Sequence, residues 1–185
     1  MKVTRLEIPE ILLVEPKVFG DARGYFVETF QVERYAEAGI VERFVQDNLS
    51  RSCRGTLRGL HLQHPASQGK LVHVVEGEVF DVAVDVRVGS PSFGKWAGTH
   101  LASREHRQMY IPPGFAHGFC VVSEYALFAY KCTEVYLPQH ELGVAWNDPA
   151  LAIPWPVSQP IISDKDQRFL PLAEIDPTRL PRWKD

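Results

Sequence analysis

The clearest β pattern in the chain is Val79-Phe80-Asp81-Val82-Ala83-Val84-Asp85-Val86-Arg87. From position 80 onward, the even-numbered residues are Phe or Val, whereas the odd-numbered residues are Asp, Ala, Asp and Arg. Because side chains alternate between the two faces of a strand, this spacing predicts an extended segment with one apolar face. Glu76-Gly77-Glu78 separates it from another apolar run, which predicts a tight hairpin turn with Gly77 at positive φ.

Short runs of the same kind fill most of the chain. We predict ten further strands: Ile11–Phe19, Gly24–Phe30, Phe44–Leu49, Thr56–Gln63, Lys70–Val75, Gly94–Ala102, Gln108–Pro112, Gly118–Val122, Ala126–Tyr136 and Gly143–Trp146. Helical periodicity is confined to Glu33–Ala38, which Gly39 ends, and to a turn or two within Ala173–Arg182. Many short strands with few helices predict an all-β, double-sheet jelly-roll barrel whose mouth holds a ligand.

Length and composition indicate one ordinary globular domain. The chain has 185 residues, of which 45% are hydrophobic and 23% charged. We predict a single domain over residues 1–185, with a jelly-roll core at about 20–146 and a C-terminal extension at about 147–185.

Charge and cysteine usage exclude several classes of protein. The net charge of −3 gives no basic surface for nucleic acid. The longest aliphatic run, Ile11–Val14, is too short to span a membrane, and the charged N-terminus does not resemble a signal peptide. Three cysteines without a C-x-x-C pair argue against a disulfide scaffold, so we expect a cytoplasmic protein.

The common catalytic fingerprints are missing from the sequence. There is no G-x-G-x-x-G dinucleotide motif, no phosphate-binding P-loop, no zincin helix and no G-x-S-x-G nucleophile elbow. Hydride transfer, phosphoryl transfer and serine-based hydrolysis are therefore not indicated.

Several ionisable residues stand in predicted strands. In Leu57–His64, Arg58 and His61 fall on opposite faces, so both reach one pocket only if the strand bulges, which Gly59 permits. Lys70 opens an apolar strand, and Tyr130 shares a face with apolar neighbours. Taken singly, each residue also fits a structural role. His61 fits a hydrogen-bonded structural histidine and Arg58 a surface arginine. Lys70 fits a lysine at a strand end and Tyr130 a core tyrosine.

The P-x-G-x-x-H spacing of Pro112, Gly114 and His117 resembles the second motif of the cupin superfamily, and Gly59-Leu60-His61 resembles part of the first. A metal-binding cupin has a second histidine where this chain has Gln63. At most two histidine ligands remain, which argues against a catalytic metal.

A narrower resemblance covers nearly the whole chain in order. It rests on these segments: Phe19–Glu28, Phe44–Ser50, Leu57–Gln63, Lys70–Val72, Gly77–Val82, Pro113–Phe119, Tyr130–Thr133 and Ser163–Asp166. Together they resemble the dTDP-4-dehydrorhamnose 3,5-epimerase family. The resemblance implies a cupin-type jelly roll that forms homodimers, uses no cofactor or metal, and acts in dTDP-L-rhamnose biosynthesis.

The resemblance also implies catalytic roles. The reaction inverts C3 and C5 beside the C4 ketone of dTDP-4-dehydro-6-deoxy-D-glucose, which needs a base, an acid on the opposite face and charge stabilisation at the enolate oxygen. His61 matches the base, Tyr130 the acid, and Lys70 the cation near the ketone. The carboxylate partner of His61 matches Asp166, although Asp164 shares its face in an extended segment.

The remaining implied residues hold the dTDP-sugar substrate. They are Arg23, Glu28, Gln46, Asp47, Asn48, Arg58, His117, Tyr136, Glu141 and Lys165. Arg23, Arg58 and Lys165 match the charge of a diphosphate, and Tyr136 matches a ring that stacks on thymine. In the family the partner's N-terminal strands complete the site, so Arg23 and Glu28 are expected to act across the dimer.

Three alternatives remain at the level of sequence. A mono-epimerase of a related dTDP-4-keto-6-deoxy sugar would carry the same His, Lys and Tyr, because the number of inversions depends on pocket shape. A non-catalytic sugar-nucleotide-binding cupin would not need an acid and a base on opposite faces. A metal-dependent cupin would contain a stoichiometric metal.

Overall fold

Two antiparallel sheets form the body of the fold, and the computed structural model describes them over residues 1–183. The strands are β1 (Lys2–Arg5), β2 (Leu12–Glu15), β3 (Val18–Asp21), β4 (Gly24–Val27), β5 (Gln46–Cys53), β6 (Leu57–Gln63), β7 (Lys70–Glu76), β8 (Glu78–Asp85), β9 (Trp96–Ala102), β10 (Gln108–Ile111), β11 (Phe115–Val121), β12 (Tyr125–Cys132) and β13 (Glu141–Gly143). The α-helix α1 spans Val32–Glu37, and short 3-10 helices span Ser103–Glu105, Pro138–His140, Asp166–Arg168, Leu172–Glu174 and Pro177–Arg179.

The sheet orders are those of a double-sheet barrel. One sheet has six strands in the order β1-β2-β10-β7-β12-β5, and the other has five in the order β13-β6-β11-β8-β9. Strands β3 and β4 form a separate two-stranded hairpin. The prediction of an all-β jelly roll with few helices is confirmed.

Strand β8 is buried on both faces. Its even-numbered face, from Phe80 to Val84, packs under C-terminal residues that include Leu172 and Leu180. Its odd-numbered face points between the sheets, where Val79 and Ala83 join the central core. Asp81 on that inner face has no solvent exposure. A buried carboxylate therefore lies inside the barrel, where it needs a partner.

The predicted hairpin at Glu76-Gly77-Glu78 is wrong. Gly77 does turn the chain sharply, with φ +87°. However, β7 pairs with β10 and β12, whereas β8 pairs with β9 and β11, so the turn carries the chain from one sheet to the other. Local sequence predicts the tight turn, but the pairing partners are set by strands far along the chain.

Two chain segments cover the outer faces of the sheets. Helix α1 places Tyr35 against β2 and β7, and Gly39 follows it at φ +95°, as the sequence predicts. The C-terminal segment covers β8 and carries three of the 3-10 helices. Strands β1 and β2 belong to the six-stranded sheet, although they precede the expected core at about residue 20. The expected extension ends in two residues that lie outside the described part.

Membrane-spanning helices and clustered metal ligands are both absent from the described residues. No helix in residues 1–183 has the length and apolar character to cross a membrane. The same residues contain no group of three or more His, Cys, Asp or Glu side chains placed to hold a metal ion.

Candidate active site

A cavity of about 330 Å³ opens between the two sheets. His61 on β6 and His117 on β11 line it from the five-stranded sheet, and Lys70 on β7 and Tyr130 on β12 line it from the six-stranded sheet. A molecule in this cavity thus meets an imidazole from one sheet and a phenol and an ammonium from the other.

A bulge in β6 brings Arg58 and His61 to the same cavity. The register between β6 and β11 shifts here: His117 pairs with His61, whereas Phe119 pairs with Arg58. Gly59 has φ +120°, and a Cβ on it would lie 2.6 Å from the Gly118 Cα. From the sequence, Arg58 and His61 could reach one pocket only if their strand bulged. This bulge is present in β6.

His61 is bound to a buried carboxylate. Its Nε2 lies 2.9 Å from Asp166 Oδ1, and Asp166 Oδ2 accepts the Gly59 N–H at 3.1 Å. Burial alone would raise the pKa of Asp166, but the hydrogen bonds and charge of His61 outweigh it and hold this pKa below its ordinary value. Asp164 is exposed to solvent. The geometry therefore pairs His61 with Asp166.

Lys70 and Tyr130 both titrate away from their ordinary ranges. Lys70 is only 7% exposed, and burial lowers its pKa, against the opposing charges of Cys132, Glu141 and Asp81. Burial raises the pKa of Tyr130, so the phenol keeps its proton. Among the described residues, neither the Lys70 ammonium nor the Tyr130 hydroxyl has a hydrogen-bond partner, which leaves both for a bound molecule.

A second histidine–carboxylate pair was missed from the sequence. His117 Nε2 lies 2.9 and 3.1 Å from the two carboxylate oxygens of Asp81. Burial raises the pKa of Asp81, and His117 acts against that shift. The available signal was the position of Asp81 in an otherwise apolar strand, opposite a strand that carries a histidine.

The outer part of the cavity carries a connected polar group. Tyr136 Oη donates to Glu141 Oε2 at 3.0 Å, and Lys165 Nζ donates to Glu141 Oε1 at 2.8 Å. An adjoining hollow of about 650 Å³ is lined by Arg51, Arg58 and Lys165 among others. This side therefore offers an aromatic ring next to several cations.

Most of the predicted site residues line the cavity. Those that do are His61, Lys70, Tyr130, Gln46, Asn48, Arg58, His117, Tyr136, Glu141 and Lys165. Asp166 lines the adjoining hollow, behind His61. Seven lining residues were not predicted as part of the site: Ser50, Leu62, Gln63, Gln68, Phe119, Phe128 and Cys132.

Three predicted residues line neither the cavity nor the adjoining hollow of their own chain. Asp47 points away from it and forms an ion pair with Lys131 at 2.9 Å, because it alternates with Gln46 and Asn48 along β5. Arg23 lies in the β3–β4 hairpin and bonds to Asp21, and Glu28 bonds to Arg34.

Comparison with known proteins supplies the family. The model of the family described as dTDP-4-dehydrorhamnose 3,5-epimerase matches residues 5–174. The chain belongs to this family. The resemblance drawn from the sequence motifs is thereby confirmed, and the protein is an epimerase.

Relatives of this epimerase align over almost its full length. A dTDP-4-dehydrorhamnose 3,5-epimerase of Pseudomonas aeruginosa is 54% identical over 178 residues, covering 95% of this chain and 98% of the relative. A crystal structure of the Legionella pneumophila dTDP-6-deoxy-D-glucose-3,5-epimerase with dTDP-4-keto-L-rhamnose has a TM-score of 0.97 and 52% identity, covering 100% of this chain and 99% of that one. A dTDP-4-dehydrorhamnose 3-epimerase of Streptomyces niveus is 44% identical, covering 99% and 90%.

Proposed function

We propose that this epimerase converts dTDP-4-dehydro-6-deoxy-D-glucose into dTDP-4-dehydro-L-rhamnose by inverting C3 and C5, a step of dTDP-L-rhamnose biosynthesis. The observation that carries the proposal is the placement of His61 on one wall of the cavity, with Lys70 and Tyr130 on the other. Both reacting carbons lie beside the C4 ketone, so one such set of groups serves both inversions.

His61 acts as the base. A carboxylate only accepts hydrogen bonds, so neutral His61 carries its hydrogen on Nε2, next to Asp166, and has its lone pair on Nδ1. Nδ1 takes the proton from the carbon beside the ketone. Asp166 fixes this tautomer and stabilises the imidazolium that forms.

Lys70 and Tyr130 complete the proton transfers. When the carbon loses its proton, negative charge moves onto the C4 oxygen, where the Lys70 ammonium stabilises it. The Tyr130 phenol returns a proton from the other side, which inverts the carbon. Proton transfer of this kind needs no redox cofactor, and chelator treatment is expected to leave the rate unchanged.

The outer residues bind the nucleotide. Arg58 and Lys165 neutralise the diphosphate, and the Tyr136 ring stacks on the base. Gln46, Asn48, His117 and Glu141 bind polar groups of the substrate. Asp47, whose side chain points away from the cavity and pairs with Lys131, is assigned no substrate contact.

A homodimer completes the site. The β3–β4 hairpin exposes Phe19, Tyr25 and Phe26 by 52%, 64% and 67%, which is a large apolar surface for a monomer. Arg23 and Glu28 belong to the same region and do not line the cavity of their own chain. We infer that the hairpin inserts these residues into the partner's site.

Deuterium exchange tests the reaction. The substrate is incubated with the protein in D2O and followed by NMR, and the product is trapped with an NADPH-dependent reductase. We expect deuterium at both C3 and C5 and an L-sugar product. Exchange at one carbon only would identify a mono-epimerase, and nucleotide binding without exchange would identify a non-catalytic binder.

Variants test the assigned roles in the same experiment. We expect His61→Ala to abolish exchange at both carbons, and Asp166→Asn to slow it by roughly 10²–10⁴-fold. We expect Tyr130→Phe to retain exchange but slow inversion, because proton removal precedes proton return. His64→Ala is the matched control, since His64 lies on the same segment outside the cavity lining, and its rate should be unchanged. An active His61→Ala variant would contradict the assignment of the base.

A further inference from the structure

The backbone around Tyr136 is held by three glutamine side chains from separate parts of the chain. The four bonds run from Gln68 Nε2 to Glu134 O (2.9 Å), from Gln63 Nε2 to Val135 O (3.2 Å), from Tyr136 N to Gln46 Oε1 (2.8 Å) and from Leu137 N to Gln63 Oε1 (2.8 Å). Each of the four residues from 134 to 137 is thus bound through a main-chain group. We call Gln46, Gln63 and Gln68 the glutamine clamp.

Gln63 is the central member of the clamp. It is only 3% exposed, and its Nε2 also donates to Ala66 O at 2.7 Å. Both N–H groups and the oxygen of its amide are therefore bonded within the protein. Burying an amide is unfavourable unless it is hydrogen-bonded, so an apolar side chain would fill this position on β6 more simply. The amide is instead used to join two loops.

The loop held in this way carries an exposed ring. Tyr136 is 48% exposed and lies outside the apolar core clusters, and its hydroxyl bonds to Glu141. The position of the ring is therefore determined by its backbone at one end and by Glu141 at the other. A ring that must stack on a ligand binds more tightly when its position is fixed beforehand.

We propose that Gln63 is a positioning residue for the pyrimidine base of the nucleoside diphosphate. It acts through Tyr136 by holding the backbone at Val135 and Leu137. This inference rests on the proposed function, in which the Tyr136 ring stacks on the base. It gives Gln63 a role in substrate affinity that is separate from the proton transfers at the sugar.

The test is a double-mutant cycle with dTDP binding as the readout. Gln63→Met keeps the length and most of the volume of the side chain but removes its hydrogen bonds. We expect the dTDP Kd to rise about tenfold, the substrate KM to rise with it and kcat to stay close to that of the unmodified enzyme. In a Tyr136→Ala background, Gln63→Met should have almost no further effect, because the residue acts through the ring.

Inorganic pyrophosphate and a second site provide controls. Pyrophosphate binds the cations but not the ring, so its affinity should not change in Gln63→Met. Ser123→Ala is the matched control: Ser123 also bonds the backbone of two segments, at Glu78 and Tyr125, but near the Gly77 turn instead of the cavity. It should lower thermal stability without changing the dTDP Kd. If Gln63→Met does not fold, Gln63→Glu keeps the acceptor and the size and should also weaken dTDP binding.

Distinct results would overturn the inference. An unchanged dTDP Kd in Gln63→Met, an equal loss in the Tyr136→Ala background or an equal loss of pyrophosphate affinity would each show that Gln63 does not position the ring. If Tyr136→Ala itself leaves the dTDP Kd unchanged, the stacking role of Tyr136 fails and the inference fails with it. The epimerase activity is tested separately by deuterium exchange.

Discussion

Lys70 must hold a positive charge at a position that excludes most water. Its proposed role needs the ammonium form, yet burial lowers the pKa of Lys70. The neighbouring acids Asp81 and Glu141 only partly offset this cost. A lysine that stabilises an enolate is therefore closer to losing its charge than an exposed lysine would be.

The pH profile should show this. As pH rises through the lowered pKa of Lys70, the ammonium deprotonates and kcat/KM should fall, at a lower pH than an exposed lysine would titrate. Tyr130 does not produce this fall, because its pKa is raised. In Lys70→Arg the guanidinium stays charged, so the alkaline fall should move to higher pH even though the rate is lower. If the fall in kcat/KM at high pH occurs at the same pH in Lys70→Arg, a group other than Lys70 causes it.

The sequence predicted most individual side chains of the site, and the family resemblance paired His61 with Asp166, but the pairing of His117 with Asp81 was not predicted. His61, Lys70 and Tyr130 stood out as ionisable groups in apolar strands. The choice between Asp164 and Asp166 could not be made, because it depends on a local conformation: a 3-10 helix starts at Asp166, so the two residues do not alternate along a strand. Gln63 was noted only as a missing metal ligand, since the partners that join it to the Tyr136 loop, Val135 and Leu137, lie more than 70 residues away in sequence.

At the level of elements, the short turn at Gly77 carries the chain from one sheet to the other. It lies between β7, which carries Lys70, and β8, which carries Asp81. It therefore connects a strand that lines the cavity with a strand whose Asp81 bonds to the lining residue His117. The sequence predicted most strands within a few residues, because alternation is a local property. It did not predict the crossing between sheets, because pairing depends on contacts with distant strands.

Substituting this glycine should be costly. A Cβ on Gly77 would clash with Tyr125 O and lie 2.5 Å from Ser123 Oγ, and the positive φ is strained for alanine. We expect Gly77→Ala to lower the free energy of unfolding by about 3 kcal/mol or more. Gly89→Ala is the matched control: its φ of +86° is almost the same, but no atom of residues 1–183 lies within 4 Å of the new Cβ. It should cost only about 1 kcal/mol. If urea denaturation gives the same loss of unfolding free energy for both variants, backbone strain alone accounts for the effect at Gly77.

At the scale of the whole molecule, packing within a single chain does not explain why the β3–β4 hairpin exposes its aromatic residues. Within the part of the chain that the structure describes, its two strands pair only with each other, and they carry aromatic side chains that remain exposed. The residue pattern predicted β4 within Gly24–Phe30, but it merged β3 with β2 in one strand over Ile11–Phe19. It also could not show where the hairpin docks. The family resemblance alone indicated a role across a dimer.

Mixed dimers test that role. Arg23→Ala changes the hairpin and His61→Ala changes the cavity, so we expect each variant alone to be impaired. If the hairpin serves the partner, co-expression gives heterodimers with one fully unmodified site, and random mixing should restore about a quarter of the activity. If Arg23 serves its own chain, no unmodified site forms and the mixture should be no more active than the variants.

The bond between His61 and Asp166 has a consequence for how the enzyme matures. The two residues are 105 positions apart in sequence, and Asp166 lies near the C-terminal end of the chain. During synthesis, a nascent chain can complete both sheets before the carboxylate emerges from the ribosome. The sheets of the barrel then form before His61 gains its Asp166 partner, so the folded barrel is not yet active. In a refolding experiment, the return of activity should therefore lag behind the return of β structure and mark the docking of the C-terminal segment.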